Sequence, residues 1–188
     1  RSVAAYYAIA LAETGQLESR AFEIPYDYPN RKVREKDGKM TDGISIYTLD
    51  ADFYAGLANT SYHNCMEIAV TNGPQIFLLK RMARAAAMNG EKRLAWKYLT
   101  MIDRNPFEHK FVERYKNYLA NLGAMYAEPE FVHVVNKKPV YDDFEQNYRT
   151  PLFLGYNVVL TQGASQEALN ASLMATLYSC LLYTSDAA

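Results

Sequence analysis

His63 and Glu67 stand four residues apart, a spacing that puts both on one face of a helix and could present two ligands to a metal ion. No second histidine or third ligand lies near them in the sequence, so a surface or part-buried histidine is expected rather than a metal site. His109 and His133 have no acidic or nucleophilic neighbour at motif spacing and give no sign of a triad. Asp142, Asp143 and Glu145 could supply paired carboxylates for acid–base work. They stand where a helix would begin, however, and their simpler use is as first-turn charges favoured by its dipole. Gly38, Gly43 and Gly56 lack both the spacing and the preceding strand of a phosphate-binding loop. Cys65 and Cys180 offer neither a disulfide framework nor a metal pair, and Cys65 reads as a small buried hydrophobe. The expectation is a chain without catalytic residues, metal or cofactor.

Helices must carry these side chains. In residues 75–103, QIFLLKRMARAAAMNGEKRLAWKYLTMID, two apolar stripes at helical spacing flank Asn89-Gly90. Ile76, Leu79, Ala83, Ala86 and Ala87 form the first and leave Lys80, Arg81 and Arg84 to face water. Leu94, Ala95, Tyr98, Leu99 and Ile102 form the second, opposite Glu91, Lys92, Arg93 and Lys97. Asn89-Gly90 permits the left-handed cap that ends one helix before the next. Ala83, Ala86, Ala87 and Ala95 are small where two helices approach, and Trp96, Tyr98 and Leu99 supply bulk beside them.

A hairpin alone cannot bury both its sides, so a neighbour with the same pattern is required. Shifting the sequence back by 33 residues finds one, with Tyr62 on Ala95, Met66 on Leu99, Ala69 on Ile102 and Leu57 on Gly90. Pro74 and Pro106, 32 apart, close the two units. The pattern resembles a tetratricopeptide (TPR) array, whose repeats run to about 34 residues with small residues at the helix crossing and a proline after the second helix. The usual aromatic early in the first helix is absent, and an irregular bundle of helical hairpins is the alternative. The expected fold is all-α: antiparallel helical hairpins stacked as a TPR-like α-solenoid with one long loop. By that resemblance the first helix of each pair lines a concave surface, which implies that Phe77, Lys80, Arg84 and Met88 point into it and that Tyr54 joins them from the preceding pair. Lys80 and Arg84 would then meet a partner's carboxylates, while Phe77 and Met88 grip apolar side chains. A solvated basic face is the plainer reading of the same residues.

Around this centre, residues 1–24 read as a partial first hairpin that turns at Gly15. Residues 25–48 form a loop rich in Pro, Gly and basic residues, either a lid or partner-binding insertion or a solvated connector. Residues 49–179 carry the repeats, with a helix from Leu49, a polar turn at Asn59-Thr60-Ser61, and a second helix from Tyr62. Asn105-Pro106-Phe107-Glu108 starts a long helix whose buried face is Phe111, Tyr115, Tyr118, Leu119, Leu122 and Met125. Residues 131–141, FVHVVNKKPVY, alternate and contain Pro139, which reads as an extended crossing segment. Further helices are expected over 150–160 and, capped by Ser165, through Leu177.

Twenty basic and 21 acidic residues leave a net charge of −1, which gives no electrostatic case for nucleic acid or an anionic membrane. No apolar run approaches the roughly 18 residues that span a bilayer. The sixteen tyrosines suit helix-crossing cores and amphipathic grooves alike. The chain opens on Arg1 within a helical pattern, so its true start is expected upstream, and residues 180–188, CLLYTSDAA, resemble a translated sequencing adapter.

The segments YYAIALAETGQL, ADFYAGLANTSYHNCMEIAV, FLLKRMARAAAMNG with AWKYL, and QEALNASLMATLY together make residues 4–179 similar to the C-terminal region of an uncharacterised Bacteroidota membrane-protein family, a domain of unknown function. The resemblance implies a TPR-like helical tail on a membrane-embedded part that lies upstream. Three functions are then expected in turn: a non-enzymatic scaffold for a protein or peptide partner, an accessory domain of a membrane enzyme, or an array packed against its own membrane domain.

Overall fold

A computed structural model describes residues 2–20, 23, 33–34, 40–41, 46–139, 141–142, 165–167 and 169–170. The chain is helical. Its elements are α1 (Ser2–Glu13), α2 (Leu17–Arg20), α3 (Ile46–Tyr54), α4 (Ala58–Asn72), α5 (Ile76–Met88), α6 (Lys92–Ile102), α7 (His109–Ala120), α8 (Leu122–Tyr126) and α9 (Pro129–Lys137). A two-residue antiparallel ladder pairs β1 (Val33–Arg34) with β2 (Met40–Thr41) inside the long loop. The helices expected over 150–160 and 171–177, the carboxylates Asp143 and Glu145, Cys180, and residues 180–188 lie outside the described residues.

The central hairpin is α5 and α6. Leu78, Leu79, Met82, Ala83, Ala85, Ala86, Ala87 and Met88 are all buried, so α5 is covered on more than one side, by α4 and by α6. Alanines make that possible, because two backbones can close on a helix that carries no bulk between them. On α6 the buried set is Ala95, Tyr98, Leu99 and Ile102, as the 3.6-residue period dictates. Trp96 is 50% exposed and does not fill the crossing, contrary to the expectation from its position beside Ala95.

The preceding hairpin, α3 and α4, turns at Gly56 rather than at residues 59–61, which form the first turn of α4. At both turns glycine takes a positive φ, +90° at Gly56 and +76° at Gly90. The next amide then bonds back five residues, Leu57 to the Asp52 carbonyl and Glu91 to the Ala86 carbonyl, each at 2.9 Å. The two glycines are 34 residues apart, one more than the shift that the sequence pattern favoured. At 34, Leu49 falls on Ala83, Phe53 on Ala87, Ser61 on Ala95, Asn64 on Tyr98 and Cys65 on Leu99, and every one of these ten residues is buried. Unlike side chains at equivalent buried positions concealed this register in the sequence.

After α6 the pattern changes. Asn105 accepts a hydrogen bond from the Phe107 amide and opens a 3-10 turn, Pro106–Glu108, that runs into α7. The long helix expected here breaks at Asn121, whose side chain caps α8 by accepting from the Ala124 amide. Residues 131–137 of the segment are helical and not extended: Pro129 sits in the first turn of α9, and Phe131 and Val134 bury one helical face. The β-branched alternation misled because Phe131 lies 6.4 Å from Phe53 and 5.9 Å from Tyr118, so tertiary aromatic packing selects the helix. Lys138, held extended before Pro139, ends it.

Long-range polar contacts close the ends of the helices. Tyr126 Oη donates to the Ala87 and Met88 carbonyls and Lys138 Nζ to the Met88 carbonyl, satisfying the C-terminus of α5. Asp142 caps α4: its carboxylate accepts from the Asn59 and Thr60 amides and from Thr60 Oγ1. It therefore serves a helix 82 residues earlier in the chain, while the helix expected to follow it lies outside the described residues.

Candidate interaction site

Tyr54, Phe77, Lys80, Arg84 and Met88 are carried by α3 and α5, as the helical spacing requires, but they do not form a common open groove. Met88 is 2% exposed and belongs to the core, so it cannot grip a partner's side chain. Arg84 turns inward to Asp50 on α3, with Nη2 2.9 Å from Oδ1. Arg81 joins it through Nε and Nη2, and Tyr6 on α1 donates to the same carboxylate at 3.0 Å. The arginines expected to face water are thus 19% and 14% exposed at their side chains.

One carboxylate with two guanidiniums leaves this cluster a net positive charge. Burial by itself would raise the Asp50 carboxyl, but the hydrogen bond and charge of Arg81, the charge of Arg84 and the Tyr6 hydroxyl outweigh it and hold the group below the usual carboxylate range. Arg84 stacks 4.1 Å over the Phe53 ring and 5.5 Å over Tyr54. Its Nε is buried without a hydrogen-bond partner, and the ring faces supply the compensation that an acceptor would otherwise give.

Lys80 is less enclosed. Its Nζ bonds Glu108 at 2.8 Å and lies 4.7 Å from the centre of the Phe111 ring, tying α5 to the start of α7. Phe77 is half-buried under Arg81, 5.6 Å from the guanidinium, and Phe107 beside Glu108 is 92% exposed. These residues form the accessible edge of the α5–α7 face.

The histidines gain carboxylate neighbours that the sequence did not reveal. His109 Nδ1 lies 2.8 Å from Asp103 and His133 Nδ1 3.0 Å from Glu167, contacts between segments that only folding brings together. His63 Nε2 is 3.4 Å from Glu67 at the expected spacing. Among the described residues no group of three or more His, Cys, Asp or Glu could hold a metal ion. Cys65 is fully buried, and burial pushes its thiol up to about 12.

Two features escaped the sequence reading. Asp50 and Arg84 are 34 residues apart, the same separation as the turn glycines Gly56 and Gly90, so opposite charges at that spacing on α3 and α5 were the available signal for their pairing. The second is an open cleft of about 500 Å³ lined by Lys92, Arg93 and Trp96 of α6 and Lys116, Leu119 and Ala120 of α7. Its signal was a solitary tryptophan next to Lys97 and three residues after Arg93, off the apolar stripe.

Fold and site define a helical protein in which the charges of the described core are largely satisfied internally. No helix among the described residues is long and apolar enough to cross a membrane. The chain belongs to the family described as a family of unknown function (DUF6057), whose model matches residues 1–179. No curated protein and no solved structure matches it.

Proposed function

We propose that the chain is a non-enzymatic, TPR-like helical scaffold that docks a protein or peptide partner. The reading rests on the 34-residue register of the α3–α4 and α5–α6 hairpins, in which five pairs of buried positions coincide although their side chains differ, while Leu57 and Ala58 at the first turn are buried where Glu91 and Lys92 are exposed. Conserving geometry while varying core chemistry is how stacked repeats build an extended surface. Tyr54, Phe77 and Lys80 remain candidates on the first-helix face, with Phe107 and Phe111 beside them, whereas Met88 is withdrawn and Arg84 supports the face from below. The tether to a membrane, implied by the family resemblance, belongs to the same proposal, and sedimentation of the native protein with the membrane fraction is its test.

Site-specific photocrosslinking tests the scaffold reading. A photoreactive residue at Phe77, Phe107 or Arg93 in the native protein should give discrete adducts with a defined protein at one or more of these positions. The same residue at Val70, which is 78% exposed on α4, should give none. Equal labelling at all four positions, or none at any, refutes a dedicated interaction surface.

A further inference from the structure

We propose that the cleft between α6 and α7 is a docking site for an acidic peptide segment that carries a bulky apolar side chain, presented by a partner protein. This rests on the reading of the chain as an interaction scaffold and names both the surface and the chemistry of its partner. The floor is apolar: Trp96, half exposed, with Leu119 and Ala120. Tryptophan is the side chain whose burial contributes most to a protein interface, and leaving half of it in water beside a recess of about 500 Å³ keeps that contribution available.

The walls are cationic. Lys92 and Arg93, on successive positions of α6, make no ion pair among the described residues. Lys116 is held in place by Glu113 at 2.9 Å and Asp103 at 3.4 Å, with its Nζ 5.9 Å from the centre of the Trp96 ring. The cleft is therefore asymmetric, with unpaired positive charge at the Lys92–Arg93 end and a neutralised cation at the other. An incoming carboxylate is directed to the first end, where Arg93 can bind it bidentately, while an adjacent apolar side chain covers Trp96 and Leu119.

That asymmetry selects against the other anionic partners. A bilayer or a nucleic-acid backbone would press a continuous sheet or row of negative charge onto Asp103 and Glu113 as well as onto the lysines. A short peptide can place its carboxylates at one end alone.

The chain's single tryptophan is Trp96, so its fluorescence reports occupancy directly. The full chain is titrated with a tryptophan-free synthetic peptide in which a leucine or phenylalanine is flanked by glutamates. Parallel titrations use the same peptide with lysines for glutamates, the same with glycine for the apolar residue, and phosphatidylglycerol vesicles. The expected result is a saturable blue shift with the first peptide, weakened about tenfold by Lys92→Glu/Arg93→Glu and by raised salt, and smaller responses from the other probes. Unchanged far-UV circular dichroism of the double variant separates lost docking from lost folding. Equal binding of the lysine peptide, a shift produced by vesicles alone, or no saturable shift up to millimolar acidic peptide each overturns the proposal. If photocrosslinking still yields adducts at Phe77 or Phe107 in that case, the cleft is abandoned and the scaffold reading stands.

Discussion

Replacing Asp50 by alanine should be among the most destabilising single changes in the described core. The carboxylate accepts four hydrogen bonds, two from Arg81 and one each from Arg84 and Tyr6, and its loss leaves two guanidiniums side by side at 19% and 14% side-chain exposure. Removing one partner of a buried ion pair costs about 3–5 kcal/mol, and the residual solvent access of the arginines puts this case at the lower end, about 3 kcal/mol. In a chain of this length that corresponds to a fall in Tm of roughly 6–12 °C, read by far-UV circular dichroism. Asp50→Asn keeps the shape but turns an amide N–H toward arginine donors, so it should recover only part of the loss. Further replacement of Arg81 and Arg84 by methionine in the Asp50→Ala background should restore most of it, because apolar side chains of similar length remove the stranded charges. The folded-state pKa of Asp50 lies below its unfolded value, so its contribution is present above about pH 4 and is lost as the pH falls through the folded value. The gap between native protein and Asp50→Asn should therefore narrow in acid. An Asp50→Ala protein that melts with the parent, or effects of Asp50→Ala and Arg81→Met that simply add, would show that the arginines are solvated and the cluster is not a unit.

Three other outcomes follow from packing. Gly56→Ala should cost more than Gly73→Ala, because both force an L-residue to positive φ, a strain of about 1–2 kcal/mol, but only the first places a Cβ 2.6 Å from the Lys137 carbonyl group. Equal urea midpoints for the two variants would disprove the close approach of α9 to that turn. Asp142→Ala should destabilise by about 1–2 kcal/mol and speed hydrogen exchange of the Asn59 and Thr60 amides, with Asp142→Asn milder because it keeps an acceptor. Exchange that stays slow in the alanine variant would refute the long-range cap. Cys65, fully buried with its thiol pushed up to about 12, should resist alkylation at pH 8 in the native protein and react in urea, as peptide mapping would reveal. Rapid native labelling would contradict its burial.

The sequence by itself determined the helical class and the placement of the central hairpin. A 3.6-residue stripe and a glycine that tolerates positive φ are local facts, and both act before any tertiary contact forms. It also fixed the use of small residues on α5 and the cap at Asn105. What only the tertiary structure decided was where charged and ambiguous segments go. Arg81 and Arg84 sit on a helix face that could equally be solvated, and it is Asp50, more than 30 residues away, that draws them inward. The segment from Phe131 carries a strand-like pattern and becomes a helix because Phe53 and Tyr118 offer it an aromatic surface. Asp142 reaches back to cap α4, and Trp96 is left in water since Tyr98 and Leu99 already fill the crossing. Periodicity specifies which residues share a face; whether that face meets water, an ion pair or another helix depends on partners distant in the chain, and these contacts set the character of the candidate site.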